Sequence, residues 1–459
     1  MYRNPARARL KAETKELQDC LIMTDLTGLD KLLLETYSDT GRKGTQPSNL
    51  LRALLVGAKL KKSEPELAEI LKEPVYAVLC GFEPGKTPGV GTFNDFYKRL
   101  WGFAPLNFNG HIQPKPVTKK GRKNQKDEDI PEAVTTLLVR ELLKRKPVEH
   151  KPFDTIVRFF TEAFVKVSCE KGLINPEKIS AAGDGTPVVT SARNRSKHNC
   201  DCYENGIFKC DCPRYYSQPD CNVGWDSSRN CHFSGYNLYI YTEASSYNNL
   251  PLFAQPFKAS EHDSVAMLTS YPYLRHYYPD FVFKNIILDS AHDAIDIYRF
   301  FISEKINPFI DLNLRGANPA ADKDAGFTIV DGVPICPQKL KMKNWGICDD
   351  GIRRKFRCPL MSKNGCTCPN PCSSSPYGRC FYVHTSKDPR LFPPVPRDSP
   401  TWKKIYNSRT SSERTNKRLK IDYQLQLHKR RCSAFWFIDI YLIFMWLHID
   451  AWMTDSKAA

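Results

Sequence analysis

The segment YNSRTSSERTNKRLK (406–420) sets a phenol, a guanidinium, a carboxylate and an ammonium at Tyr406, Arg409, Glu413 and Lys420. On a single helix, at about 100° per residue, these four fall within a stripe about 60° wide. A core-facing stripe would be apolar, and this one is not. An exposed helix with Arg409–Glu413 pairing accounts for the charges but not for their alignment with Tyr406. Two further acids stand at the ends of apolar runs: Asp184 in KISAAGDGTPVV and Asp289 in KNIILDS. Either alone is ordinarily a turn or helix cap. Three carboxylates drawn together have another use, because hard divalent cations take oxygen ligands and a pair of them can drive in-line displacement at phosphorus.

The elements that would carry these residues follow a clear order. KISAAGDGTPVV leads into Asp184, and 235–244 and 250–260 read as the next two strands. A helix is expected over 264–278, a strand over 284–290, a helix over 292–305 and a fifth strand over 306–313. After a long irregular stretch a helix should start near Pro400 with Ser399 as its cap. This is the element order of an RNase H-like α/β domain, a mixed five-stranded sheet with helices, and by itself it is a fold-level analogy.

Ahead of this region, residues 45–101 read as a small all-α module. Ser48 precedes NLLRALLVGAKL, Ser63 and Glu66 have capping-box spacing, and Thr92 opens a third helix with Phe93, Phe96, Tyr97 and Leu100 on one face. Residues 105–131 read as a linker, whose KPVTKKGRKNQK has six basic residues and no acid. The division expected is 1–104, 105–131 and 132–459, with insertions in the last unit at about 191–233 and 316–398.

The four-residue pattern matches the Tyr-x2-Arg-x3-Glu-x6-Lys signature of DDE transposases encoded by bacterial insertion sequences. Asp184, within AAGDGTP, and Asp289, within ILDSAHD, resemble that family's first two catalytic aspartates in strand and in order. The resemblance covers about residues 178–452. GFEPGKTPGVGTFNDFYKRLW (81–101) looks like the N-terminal domain common in these enzymes. The resemblance implies a helical DNA-binding domain at the N-terminus and a catalytic triad of Asp184, Asp289 and Glu413. It implies two Mg²⁺ or Mn²⁺ ions held by that triad, and DNA phosphate contacts from Tyr406, Arg409 and Lys420. The reaction implied is strand cleavage at the element's ends, followed by attack of the freed 3′-OH on target DNA. The implied partners are terminal inverted repeats and target DNA, bound by a homodimer in the bacterial cytoplasm at the nucleoid.

Composition agrees with such partners. The chain has 459 residues, 67 Lys plus Arg against 50 Asp plus Glu, and a formal charge of +17. A polyanion or an anionic membrane surface is the natural counterpart. Residues 395–431 alone carry 11 basic residues and three acids. The N-terminal stretch has no apolar leader, so no secretion signal is expected. The apolar run Ala434–Leu447 is 14 residues long and contains Asp439, short of the ~20 that a bilayer needs, so it reads as a core element and no membrane partner is expected.

Seventeen cysteines without a leader point to a reducing compartment and to metal sites rather than disulfides. Cys200, Cys202, Cys210 and Cys212 form C-x-C-x7-C-x-C, enough thiolates for a closed zinc site. A second group, Cys358, Cys366, Cys368, Cys372 and Cys380, has an ambiguous ligand set. His292 and Asp293 follow Asp289 as a helix N-terminal pair, and Trp345 is expected to be packed. The competing reading is a non-catalytic, zinc-containing DNA-binding protein derived from a transposase. It predicts affinity for DNA without metal-dependent cleavage.

Overall fold

The computed structural model describes all residues except 1–11, 39, 41–43, 107–131, 191–196, 199–204, 208–213, 216–217, 219–220, 228, 314–320, 323–326, 331, 349–351, 428–429, 431 and 459. The basic linker and all four cysteines of the expected first zinc site therefore lie outside the described residues.

Six helices open the chain: α1 (Ala12–Ile22), α2 (Gly28–Leu33), α3 (Pro47–Leu60), α4 (Glu64–Ile70), α5 (Pro74–Leu79) and α6 (Val90–Leu100). Pro47 starts α3, where its missing N–H costs nothing, and Lys61 closes it in the left-handed region at φ 57°. Ser63 and Glu66 form the capping box read from the sequence, with Ser63 N donating to Glu66 Oε2 at 2.8 Å. The last helix begins two residues ahead of Thr92, capped by Gly89, and buries the expected face of Phe93, Phe96, Tyr97 and Leu100. Then come α7 (Val134–Leu142), α8 (Asp154–Phe160), a π-helical turn over Thr161–Val165 and α9 (Lys166–Glu170).

A mixed sheet follows. Its strands are β1 (Ile179–Val189), β4 (Asn222–Asp226), β5 (Cys231–Glu243), β6 (Pro251–Lys258), β7 (Phe283–Leu288) and β8 (Asn307–Ile310); β2 (Lys197–His198) and β3 (Arg214–Tyr215) pair separately. β5 lies antiparallel to β1, which lies parallel to β7, which lies parallel to β8. β4 and β6 share the far edge of β5, β4 on residues 231–235 and β6 on 236–242. Among the described residues the sheet thus has six strands where five were expected, because the segment between β1 and β5 contributes β4. The helices α10 (Asp263–Tyr277) and α11 (Ile295–Ser303) stand where the sequence put them.

The segment between β8 and the C-terminal helices, where an insertion was expected, is β-rich among the described residues. β9 (Ala321–Asp322), β10 (Phe327–Val330) and β11 (Val333–Ile335) form one small sheet. β12 (Lys343–Ile347), β13 (Arg353–Arg357) and β16 (Cys380–His384) form another, with β14 (Met361–Ser362) and β15 (Gly365–Cys366) as a hairpin between them. This unit has its own apolar cluster, built on Ile329, Cys336, Met342, Phe356, Phe381, Val383 and Phe392.

The chain closes with α12 (Pro400–Asn407), α13 (Thr410–Lys417), a π-helical turn over Arg418–Asp422 and α14 (Ser433–Ala458). Ser399 caps α12 by accepting from Trp402 N at 3.1 Å. The last helix is long and apolar enough to cross a membrane by length and composition, yet most of it is buried as the axis of the core. One apolar cluster runs from Leu17 through the sheet to Trp452, so the N-terminal helices and the sheet share it. Trp446 Nε1 donates to Leu55 O at 2.7 Å. Arg430 bridges Glu64 of α4 to Asp439 of α14, and Lys59 of α3 reaches Asp450 at 2.7 Å.

Candidate active site

Adjacent parallel strands place the two aspartates. Asp184 lies within β1, and Asp289 directly follows β7, the neighbour of β1. Glycines flank Asp184 because other side chains crowd the opposite face. A Cβ on Gly183 would sit 2.4 Å from Tyr239 Oη, and one on Gly185 would sit 2.0 Å from Asp263 Oδ1. Asp263, at the start of α10, is held by Asn237 Nδ2 at 2.7 Å.

Asp289 caps the turn after its strand, as an isolated Asp would, with Oδ1 accepting from Ala291 N at 3.0 Å. The same oxygen lies 2.7 Å from His292 Nδ1, and His292 Nε2 lies 2.9 Å from Tyr239 Oη. His292 is fully buried, so it is an orienting partner and more than a helix-terminal residue. Asp293 takes a different part: its buried carboxylate receives Arg390, which ties the second insertion to this end of the sheet.

The signature residues do not lie on one straight helix. The chain tightens at Ser408 and Arg409, whose N–H groups bond back three residues to Ile405 and Tyr406. It then widens into the π turn that contains Lys420. A tightened turn and a widened one each rotate the side chains that follow them, so the expected stripe is bent at both ends. Tyr406 stacks on Trp402 with centroids 4.6 Å apart. Arg409 Nη2 donates to Glu413 Oε1 at 2.6 Å, the pairing expected of an exposed helix. Glu413 is about half exposed, at 52%. One turn further, Asn416 Nδ2 donates to Asp184 Oδ2 at 2.9 Å and so joins α13 to β1.

Burial, then Asp263, then Asp289 push the Asp184 carboxyl up to about 7, against the pull of His292 and Arg409. Burial also opposes charge on Asp289, but the His292 and Ala291 hydrogen bonds outweigh it and hold that acid below the usual carboxylate range. Burial draws the Lys420 ammonium down to about 8, partly offset by Asp226 and Asp184. Burial pushes the Tyr406 phenol up to about 12, with Asp311 adding to it. Asp184 and Asp289 thus sit within each other's field, Arg409 acts on both, and Glu413 is joined to them through Arg409.

The donor set suits a hard cation in part. Among the described residues, Asp184 Oδ1 and Asp289 Oδ2 accept no hydrogen bond, so each acid keeps one oxygen for a further ligand. No three His, Cys, Asp or Glu side chains among the described residues converge closely enough to hold one ion. Glu413 would have to join Asp184 and Asp289 to complete the set. Asp263 and Asn416 were not legible as site residues in the sequence. The first looks like a helix-start acid and the second like a surface amide, and only the packing of α10 and α13 sets Asp263 against Gly185 and Asn416 on Asp184. Trp345 was expected to be packed, and it is 58% exposed.

Residues 6–99 match the family described as Transposase domain (DUF772). No curated protein matches the chain. Among solved structures, the cryo-EM structure of the piggyBac transposase synaptic complex with hairpin DNA is similar at a TM-score of 0.36 and 10% identity, covering 94% of this chain and 71% of that one.

Proposed function

We propose that the chain is a DDE transposase of the bacterial insertion-sequence group, cutting the ends of its element and joining them to target DNA. The observation that carries this is the placement of Asp184 and Asp289 on adjacent parallel strands, beside the helix that bears Arg409 and Glu413. The transposase-domain match over residues 6–99 supports it independently. The strand order β6–β5–β1–β7–β8, antiparallel up to β1 and parallel beyond, supports an RNase H-like catalytic domain.

Two Mg²⁺ or Mn²⁺ ions on Asp184, Asp289 and Glu413 would supply an activated water or 3′-OH and neutralise charge on the leaving oxygen. The chain's own residues prepare that site. His292 fixes Asp289 through Oδ1 and Asn416 fixes Asp184 through Oδ2, so the remaining oxygens face the ligand space in a set orientation. Arg409, once exchanged from Glu413 to a phosphate, and Lys420 contribute positive charge, while Tyr406 lines the site from its stack on Trp402. The partners proposed are terminal inverted repeats and target DNA, engaged by a homodimer in the cytoplasm. Zinc at Cys200, Cys202, Cys210 and Cys212 is proposed on their spacing alone.

The test is metal-dependent cleavage of a duplex carrying the element's own end. Asp184→Asn, Asp289→Asn and Glu413→Gln should each abolish cleavage with DNA affinity retained. Near-normal cleavage by any one of them removes that residue from the triad. Metal-independent DNA binding with no cleavage by the intact protein would favour the non-catalytic reading.

A further inference from the structure

The second insertion carries a surface that the carboxylate site does not use. In β13, alternate residues take opposite faces. Arg354 and Phe356 turn inward and are buried, and Arg354 Nη2 is held by the Pro393 and Pro394 carbonyls at 2.9 and 3.0 Å. Arg353, Lys355 and Arg357 turn outward. The register places Lys343 directly opposite Arg357, Tyr382 opposite Lys355, and His384 opposite Arg353. No acid occurs in any of the three strands β12, β13 and β16. Like charges directly opposed across a ladder are destabilising, and this sheet has no acid of its own to relieve them. Its apolar core lies on the other face, and of the cations here Arg357 also holds the Tyr377 carbonyl at 2.9 Å.

The aromatic residues on this face serve the cations. The Arg357 guanidinium lies 4.4 Å from the ring centroid of exposed Trp345, and Arg353 and Lys355 each lie 5.6 Å from that of Tyr382. Such stacking holds a long cationic side chain in place on the outer face. We propose that the outer face of the β12–β13–β16 sheet is a DNA-docking surface that binds the phosphate backbone of a duplex. Charge complementarity selects a polyanion. Both rings already hold cations, which favours backbone contacts over base stacking. The row on β13 repeats every ~6.8 Å, twice the ~3.4 Å axial spacing of phosphates along one DNA strand. The assignment is independent of whether Asp184, Asp289 and Glu413 cut DNA.

The experiment uses the full chain and a labelled 40-base-pair duplex of random sequence, titrated with salt. Lys343→Gln/Lys355→Gln changes two amines that hold no part of the fold, and adding Arg357→Gln extends it. Every cation that no longer neutralises a phosphate should flatten the log K against log salt slope by ~0.9. For the double variant, the drop in affinity between 50 and 200 mM salt should shrink by about tenfold, with thermal stability unchanged. Asp184→Asn should keep the wild-type slope, so a failed triad and a failed docking surface give different results. A wild-type slope in both the double and the triple variant overturns the proposal. So does a wild-type preference for single-stranded RNA of equal length that disappears in the variants.

Discussion

Asp184→Asn should make the metal-free protein more stable at pH 8, although it removes a residue proposed to be essential. The folded state holds this carboxyl up to about 7, through burial, Asp263 and Asp289, against an ordinary value of 3.8. An acid whose folded pKa is raised keeps a proton that the unfolded chain has already lost. Stability therefore falls as pH rises from about 4 to about 7 and is level above. At ~1.4 kcal/mol per pH unit, the ceiling over that window is ~4 kcal/mol. Asp184 is partly open to solvent, which reduces the expected cost to ~1–2 kcal/mol. The amide keeps the size of the carboxylate and can still accept from Asn416. With an unfolding entropy of ~2.1 cal/mol/K per residue over 459 residues, ~1 kcal/mol corresponds to ~1 °C. The assay is the melting temperature of both proteins in chelator at pH 5 and pH 8. The variant should exceed wild type by ~1–2 °C at pH 8, with the gap smaller at pH 5. Saturating Mg²⁺ should then raise wild type more than the variant. A variant that melts below wild type at pH 8, or a gap independent of pH, would refute the crowding of acids inferred here.

Two other perturbations probe the supports of the site. Arg430→Met strands Glu64 and Asp439 together in a buried interface, so stability should fall by ~3–5 kcal/mol, seen as a drop of ~3–5 °C. Burial opposes charge on Glu64 and Arg430 is what holds its carboxyl below the ordinary range, so that deficit should shrink as pH falls and Glu64 takes up a proton in the variant; a deficit that ignores pH would argue against the pairing. Asn416→Ala removes the donor to Asp184 Oδ2 and should slow cleavage by ~10-fold with a higher Mg²⁺ requirement and unchanged DNA affinity. An equal fall in affinity would make Asn416 a DNA-binding residue instead.

Local signals carried much of this architecture. Strand and helix starts around the sheet were readable because apolar runs, Ser399–Pro400 and the Ser63–Glu66 box are short-range features. What lay beyond reach depended on packing between distant segments. The straight stripe through Tyr406 and Lys420 assumed one regular helix, and no residue type in 406–420 announces the tight turn at Ser408 or the π turn at Arg418. Trp345 looked like core until β12 placed it outside a sheet whose inner face was already filled. Asp263 packs against β1 only because Gly185 leaves room for it, and a glycine in a strand announces a close approach without naming the neighbour.

The N-terminal helices are joined to the end of the signature segment by a short polar route. Just past the π turn that holds Lys420, Tyr423 Oη donates to Asp450 of α14 and accepts from Lys59 of α3 at 3.1 Å. Lys59 also lies 4.6 Å from the Trp446 ring centroid, so α3, α14 and the end of the signature segment meet at one ammonium. A π turn adds a residue to one helical turn and is stable only where its surroundings fix it. Here the fixing comes from the region that matches a transposase domain and from the core helix together. The N-terminal helices, α14 and the end of the signature segment are therefore tied together by Lys59, Tyr423 and Asp450.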